Sequence, residues 1–169
     1  YRGTLRYAGW CDTLYNIGQL GFLDETEQMV SGKTYAQFTL GLLPETAQDS
    51  GQDIEVDVAA HLGLAPNSEV IKNLAWLGLF AAETIEAAGD KMSPLDLLAK
   101  VTLERMKYAP GERDLIVLVH HFDASYPDGK KEHITSSLIA YGEPDGYSAM
   151  ARTVSLPAAI AIDLILNGE

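Results

Sequence analysis

Two arginines near the start of the chain carry the clearest indication of ligand chemistry. Arg2 and Arg6 lie in a segment, Tyr1 to Tyr7, whose alternation of polar and bulky residues predicts a short β-strand. In a strand the two side chains would share one face and stand about 13 Å apart. Guanidinium groups bind carboxylates through a rigid pair of hydrogen bonds. The spacing suits two carboxylates of one long anion, or one ligand and one structural partner, and a plain surface role stays open for either arginine.

A second candidate lies where a loop enters a predicted helix near the C-terminus. The residues Asp145-Gly146-Tyr147-Ser148 precede that helix, and the free N–H groups of a helix N-terminus attract anions. An ordinary capped helix, with Asp145 as the cap, accounts for the spacing better than a ligand site does.

The histidines supply weaker candidates for proton transfer. His120 and His121 are neighbours on a predicted strand, so they face opposite sides of the sheet and one should point inward. An inward histidine is more often a hydrogen-bonded core residue than a catalyst, but imidazole titrates near neutral pH. His120 and Tyr147 are therefore the weak catalytic candidates, and the general base stays unassigned.

The order of predicted elements is typical of an α+β fold. After the first strand, helical spacing and cap residues predict helices over 10–20, 31–43, 54–62, 69–77 and 94–106. Two β-rich segments, 114–126 and 131–141, flank the turn Pro127-Asp128-Gly129-Lys130 and predict a long antiparallel hairpin. Helices over 147–154 and 157–166 follow, the second started by Pro157. We expect one domain over 1–169, with an antiparallel or mixed sheet and a helical subdomain of about four helices over residues 31–106.

Composition restricts the possible partners. The 169 residues carry a formal net charge of -12, which disfavours nucleic acid and anionic membrane surfaces. No apolar run approaches the roughly 20 residues of a membrane span, since Asp163 interrupts the most apolar stretch, 156–166. The single cysteine, Cys11, cannot form an internal disulfide and favours a reducing, cytoplasmic location. No spacing typical of a metal site occurs.

The sequence contains no cofactor motif. It has no G-x-G-x-x-G, no phosphate-binding P-loop and no H-E-x-x-H, so no cofactor-binding residue is predicted in this chain. It begins with Tyr1 rather than methionine, directly in a strand-like segment, and we expect a fragment cut from a longer protein.

Several strings together resemble the C-terminal catalytic domain of the saccharopine dehydrogenase family, over nearly the whole chain. Each string is moderately specific, and their order and spacing are strong. They are YRGTLRYAGW at 1–10, LGFLD at 20–24, WLGLF at 76–80, SPLD at 93–96, PGERD at 110–114, AYG at 140–142, GYSAMA at 146–151, TV at 153–154 and LPAAIA at 156–161.

The resemblance implies the substrate-binding and dimerisation half of an oxidoreductase that acts on the CH–NH bond of saccharopine, in lysine and aminoadipate metabolism. Such enzymes pair this domain with an N-terminal Rossmann domain that binds NADP or NAD, and a homodimer is expected. The motifs place substrate-binding residues in two strings. They are Arg2, Thr4, Arg6 and Tyr7 in the first, and Gly146, Ser148 and Thr153 in the second.

Two features depart from the family pattern. Ser155 stands where glycine is usual, which puts close backbone approach there in doubt, and the Rossmann domain is absent from this sequence. The helix over 156–166 would then expose apolar surface or use it in dimer contacts. The alternatives are a related carboxynorspermidine-type reductase domain and a non-catalytic dimerisation module.

Overall fold

A computed structural model describes residues 6–45, 51 and 53–168, and these residues divide between two compact units. We call Tyr1–Lys107 the helical unit and Tyr108–Glu169 the hairpin unit. The fold class is α+β, as predicted. The first strand was predicted over 1–7; residues 1–5 lie outside the described residues, and Arg6 and Tyr7 have no regular secondary structure.

The described part of the helical unit contains five helices and one small antiparallel sheet. In chain order the elements are α1 Trp10–Gln19, β1 Gln28–Met29, α2 Tyr35–Gly41, α3 Ile54–Leu62, α4 Glu69–Leu77, β2 Lys91–Met92 and α5 Pro94–Arg105. Four of the helices fall within residues 31–106, the number expected for the helical subdomain. The sequence patterns missed the two short strands, which pair Gln28 with Met92 and Met29 with Lys91.

The helix ends follow local cap chemistry. Ser68 and Ser93 accept the N–H groups of Ile71 and Asp96 and so begin α4 and α5. Gly78 ends α4 at a φ of 92°, which a side chain would strain. The second helix begins later than predicted, because Thr34 rather than the 31–33 segment forms the cap, in a reciprocal capping box with Gln37.

One hydrophobic core holds the helical unit together, and α4 lies at its centre. This helix packs against α1, α3 and α5, and its Ile71 and Leu74 are fully buried. The rings of Phe22 and Phe38 meet with their centroids 6.5 Å apart. The buried Thr39 hydroxyl donates to the Leu79 carbonyl at 2.7 Å, so a polar group enters this core with its hydrogen bond satisfied.

The hairpin unit consists of two long strands and one long helix. Strands β3 Leu115–Ser125 and β4 Lys131–Tyr141 pair antiparallel in a continuous register, from Leu115 opposite Tyr141 to Ser125 opposite Lys131. Gly129, at a φ of 84°, closes the turn between them, as its sequence predicts. The hairpin is therefore confirmed, with bounds within one residue of those expected.

The C-terminal segment forms one helix where two were predicted. Helix α6, Ala149–Asn167, runs through Pro157. Proline removes one backbone hydrogen bond and crowds the preceding turn. Apolar residues on both sides continue the helical pattern past it, so Pro157 lies inside the helix and does not begin a new one.

Very little of the hairpin unit is buried by its own described residues. Between 108 and 168 only Gly142 and Ala149 are buried. Large apolar side chains lie exposed on both faces of the hairpin, Val117 and Ile139 on one and Leu118 and Phe122 on the other. Isolated two-stranded hairpins are marginally stable in water, so these faces need cover from other protein.

Helix α6 also exposes apolar surface, as expected for 156–166. Ile160, Ile165 and Leu166 are all more than half exposed. With 19 residues and a mean hydropathy of 1.6, α6 is long and apolar enough to cross a membrane by those two criteria. A helix that packs against another protein surface satisfies the same criteria, and Arg152 and Asp163 place charges within its length.

The cap of α5 gives a test of the helical core. Replacing Ser93 by alanine removes the acceptor for the Asp96 N–H, 3.0 Å away in a buried site. We expect the free energy of unfolding to fall by about 1 kcal/mol, as for other N-cap serines. Chemical denaturation of the 169-residue chain measures this.

Ser31→Ala is the matched control, because Ser31 is exposed in a turn. The Ser31→Ala variant should leave the free energy of unfolding unchanged. An equal loss in both variants would contradict the importance of the Ser93 cap.

Candidate functional site

The predicted site residues fall in both units, and each unit is described by itself. In the helical unit the described candidates are Arg6 and Tyr7, both exposed. The Tyr7 side chain is 94% exposed, and its carbonyl accepts the N–H of Trp10 at the start of α1. Arg2 and Thr4 lie outside the described residues, so the spacing of the two guanidinium groups stays a prediction.

Tyr7 stands at the edge of an apolar cavity of about 270 Å³ within the helical unit. Both tryptophans of the chain, Trp10 and Trp76, line it, and so do Thr13 and Asn73. The Asn73 amide donates to the Thr13 hydroxyl at 3.0 Å. None of the described lining residues is charged, so this cavity suits apolar atoms and not the carboxylates of a polyanion.

A second cavity of about 330 Å³ in the same unit is polar. Lys100, Glu104 and Arg105 of α5 line it together with Tyr35 of α2. Lys100 and Glu104 form an ion pair at 2.6 Å, and the hydrogen bond that the Lys100 ammonium donates to the Glu104 carboxylate raises the pKa of Lys100. Burial raises the pKa of Tyr35. The cavity holds charges of both signs, with three carboxylates, those of Glu83, Glu86 and Glu104, against the two cations.

The hairpin unit brings the second group of candidates together around one carboxylate. Asp114, just before β3, accepts two backbone hydrogen bonds at the start of α6. The Ala149 N–H reaches Oδ1 at 2.6 Å, and the Met150 N–H reaches Oδ2 at 2.8 Å. The Ser148 hydroxyl accepts the next N–H, that of Ala151, at 3.0 Å. We call the two bonds to Asp114 the carboxylate clamp.

The clamp requires glycine at position 142. A β-carbon there would overlap Oδ1 of Asp114 and lie 3.1 Å from the Ala149 nitrogen. Gly142 is also tied to the Asp114 carbonyl by its own N–H, at 3.0 Å. The carboxylate therefore reaches α6 only because no side chain occupies this position.

The clamp also determines the electrostatics at the start of α6. The hydrogen bonds from Met150 and Ala149 hold the pKa of the Asp114 carboxyl below its usual range. A lowered pKa in the folded state means that the ionised carboxylate stabilises the fold above its unfolded pKa. That contribution is lost as the pH falls through the lowered value.

The loop before α6 is closed by its own hydrogen bonds. The N–H groups of Glu143 and Gly146 donate to the carbonyls of Tyr147 and Glu143, both at 3.0 Å. A β-carbon on Gly146 would lie 2.9 Å from that of Glu143. The Tyr147 side chain stands 74% exposed at the end of this loop. The structure thus fixes the backbone of Gly146, Tyr147 and Ser148 and leaves the phenol accessible.

One expectation for this loop is wrong, while the preference for an ordinary capped helix over an anion site agrees with the structure. The cap of α6 is Ser148 and not Asp145, which has a positive φ of 57° instead of the extended backbone of a cap. Asp145 instead accepts the Gly111 N–H at 3.3 Å. The first N–H groups of α6 are also bonded to Asp114 and Ser148, so the helix start offers no empty anion site at Ala149, Met150 or Ala151.

Thr153, predicted to bind substrate, lies half-buried in the second turn of α6. Its hydroxyl lies 3.4 Å from the Met150 carbonyl, which it faces as donor. The Ser155 hydroxyl donates to the Ala151 carbonyl at 2.8 Å. Both hydroxyls are therefore bonded within the helix.

The histidines occupy the two faces of the hairpin, as their neighbouring positions predict. His120 meets the ring of Phe122 edge-on, and His121 stacks on His133 across the strands at 5.7 Å. Both His120 and His121 are exposed, and the expectation that one of the pair points inward stays a prediction. His133 is paired with Asp123 at 2.8 Å. Among the described residues, no group of three or more histidine, cysteine, aspartate or glutamate side chains could hold a metal ion.

Sequence reasoning missed the clamp, although its parts were visible. The hairpin register, once fixed by the turn, places Asp114 and Gly142 next to each other just beyond the Leu115–Tyr141 pair. An aspartate that lies opposite a glycine at the end of a hairpin, with a helix beginning soon after the glycine, is the sequence signal that could have predicted the carboxylate clamp. The tryptophan-lined cavity left no comparable pattern, because it depends on how three helices pack.

Comparisons with known proteins identify the family. The family model described as the saccharopine dehydrogenase C-terminal domain matches residues 1–169. The chain is 31% identical to saccharopine dehydrogenase (NADP(+), L-glutamate-forming) of Schizosaccharomyces pombe and 34% identical to that of Pyricularia oryzae. In both cases the match covers 99% of this chain but only 38% of the length of the relative.

A longer relative and a solved structure agree with this match. Mitochondrial alpha-aminoadipic semialdehyde synthase of Bos taurus is 32% identical, with 18% of its length covered. The solved structure is apo histidine-tagged saccharopine dehydrogenase (L-Glu forming) from Saccharomyces cerevisiae, at 32% identity and a TM-score of 0.62. The match covers 99% of this chain and 38% of that one. The chain therefore belongs to the saccharopine dehydrogenase C-terminal domain family.

Proposed function

We propose that this chain is the substrate-binding half of an NADP-dependent oxidoreductase that acts on the CH–NH bond of saccharopine. The observation that carries the proposal is the match of the whole chain to the family model, joined to the activity for which two relatives are named. The chain spans 38% of their length. The remainder of such an enzyme would hold the Rossmann domain.

The exposure of the motif residues supports a site that is completed elsewhere. Tyr7 and Tyr147 are largely exposed, yet each stands on backbone that is fixed by hydrogen bonds. Exposed side chains on a fixed backbone suit contact with a ligand held against another domain. We propose that Arg2, Thr4, Arg6 and Tyr7 bind one part of the substrate and that Gly146, Ser148 and Thr153 border it from the other string.

The division of chemical labour follows from this arrangement. NADP, held by the Rossmann domain, would accept the hydride from the carbon next to the secondary amine. Residues of this chain bind and orient the substrate: the guanidinium groups neutralise its carboxylates, which the overall charge of -12 would otherwise repel. His120 and Tyr147 stay the candidates for proton transfer.

The uncovered hairpin supports a homodimer as the assembled form. Apolar side chains on both of its faces need partners, and a second copy and the Rossmann domain together offer two surfaces. A purely non-catalytic dimerisation module uses the same faces. A carboxynorspermidine-type reductase is the enzymatic alternative, but the relatives compared bear saccharopine and aminoadipic semialdehyde in their names.

We propose a cytoplasmic location for the full-length enzyme. The one thiol, that of Cys11, is exposed and is not in a disulfide. A free, accessible thiol is typical of reducing compartments.

The isolated 169-residue chain should show no dehydrogenase turnover. Its sequence has no dinucleotide motif, so it would lack the hydride acceptor. The assay is NADPH formation from saccharopine and NADP, with the full-length enzyme as the positive control. Turnover by the chain alone would overturn the proposed division of labour, and faster turnover of a carboxy-polyamine by the full-length enzyme would favour the reductase alternative.

Arg6→Ala in the full-length enzyme should raise the KM for saccharopine by about 10- to 100-fold. A hydrogen bond to a charged partner contributes about 1.5–3 kcal/mol, which corresponds to this range. Arg6→Lys keeps the charge but lacks the planar guanidinium group, so its KM for saccharopine should lie between those of the parent enzyme and Arg6→Ala. Steady-state kinetics measure both.

Arg105→Ala is the matched control, since Arg105 is an exposed arginine at the end of α5 in the same unit. Its KM should match that of the parent enzyme. If Arg6→Ala also left KM unchanged, Arg6 would be removed from the substrate site.

A further inference from the structure

We propose that Asp114 is a positioning residue, whose carboxylate clamp holds the loop before α6 so that Tyr147 presents its phenol to the substrate. This role rests on the proposed function and adds to it a residue outside the substrate-binding strings. Asp114 touches no predicted substrate group itself, and it acts through the backbone of Ala149 and Met150.

The clamp is the best-buried point of the hairpin unit. Gly142 and Ala149, the two buried residues of its described part, lie directly against the Asp114 carboxylate. Both carboxylate oxygens are used, one on each N–H, and the backbone of Asp114 is bonded to Gly142 as well. Movement of α6 against the hairpin would break several bonds together.

The loop that the clamp holds in place contributes almost no packing. From Glu143 to Tyr147 every described side chain is exposed, yet five hydrogen bonds fix the segment. They are Glu143 N–H to the Tyr147 carbonyl, Gly146 N–H to the Glu143 carbonyl, Gly142 N–H to the Asp114 carbonyl, Gly111 N–H to Asp145, and Arg152 to Glu143 at 3.4 Å.

Ordering an exposed loop costs conformational entropy that buried surface does not repay here. The hydrogen bonds give the Tyr147 backbone a defined position, and its side chain stands 74% exposed at the junction of loop and helix. With the backbone fixed, only the side-chain torsions of Tyr147 need to be ordered when a ligand arrives, which is a partial preorganisation of a binding site. The geometry therefore indicates that the role of the carboxylate clamp is to orient Tyr147.

Asp114→Asn in the full-length enzyme tests this role. The amide keeps the shape of the side chain but offers one acceptor oxygen for two N–H donors. We expect the KM for saccharopine to rise by about tenfold, in line with the cost of small misplacements at a site, with the KM for NADP unchanged. Gly142→Ala should give the same change, because its methyl group displaces the carboxylate.

A double variant distinguishes positioning from simple loss of stability. Tyr147→Ala should raise the KM for saccharopine, and Asp114→Asn combined with Tyr147→Ala should be no worse than Tyr147→Ala alone. Partial unfolding lowers the amount of active enzyme but leaves KM as it is, so KM reports the role. Asp123→Asn, which removes a carboxylate bonded to His133 near the far end of the hairpin, is the control and should not change KM.

The outcomes separate this inference from the proposed function. An unchanged KM in Asp114→Asn, with a raised KM in Tyr147→Ala or Arg6→Ala, would overturn the positioning role and leave the function standing. A full-length enzyme without saccharopine oxidation would overturn both. The clamp itself is checked in the full-length enzyme by NMR titration: the Asp114 carboxyl should titrate below 3.8 and move back toward that value in Gly142→Ala, and a parent midpoint at or above 3.8 would overturn the clamp.

Discussion

In the hairpin unit, one carboxylate joins the sheet to the helix. Asp114 accepts the first N–H groups of α6 while its backbone continues the hairpin ladder to Gly142. The bonds are short and charge-assisted, the kind of hydrogen bond that is strongest in proteins. With little apolar burial between the hairpin and α6, the position of the loop that carries Gly146 and Tyr147 depends on this polar contact. The requirement for glycine at 142 follows from the same contact.

The two units differ in what stabilises them. The helical unit encloses its own core around α4, and the aromatic and aliphatic residues of that core are nearly inaccessible to water. The hairpin unit has long, well-paired strands but leaves apolar side chains on both faces exposed. Since burial of apolar area supplies most of the favourable free energy of folding, the hairpin unit depends on neighbours in the complete protein. A chain that spans 38% of its relatives fits that dependence.

Features that depend on local chemistry could be predicted from the sequence. The serine caps at 68 and 93, the glycine at 78 and the turn at 127–130 placed three helix ends and the hairpin correctly, because each is decided within a few residues. The errors arose where neighbouring residues offer competing signals. Asp145 was predicted to cap α6, but Ser148 forms the cap. Pro157 was predicted to begin a helix, but it lies within α6 because the helix continues on both sides of it. The candidate site could be predicted only as strings of residues; the partnership of Asp114 with α6 needed the register of the hairpin and the path of the chain after it.

The tryptophans have a spectroscopic consequence. Trp10 and Trp76, the two in the sequence, line the same apolar cavity. Intrinsic tryptophan emission therefore reports the helical unit alone and is blind to melting of the hairpin. Four of the eight tyrosines, at 108, 126, 141 and 147, lie in the other unit. A tyrosine transition whose midpoint differs from that of tryptophan during denaturation would therefore show that the two units unfold one after the other.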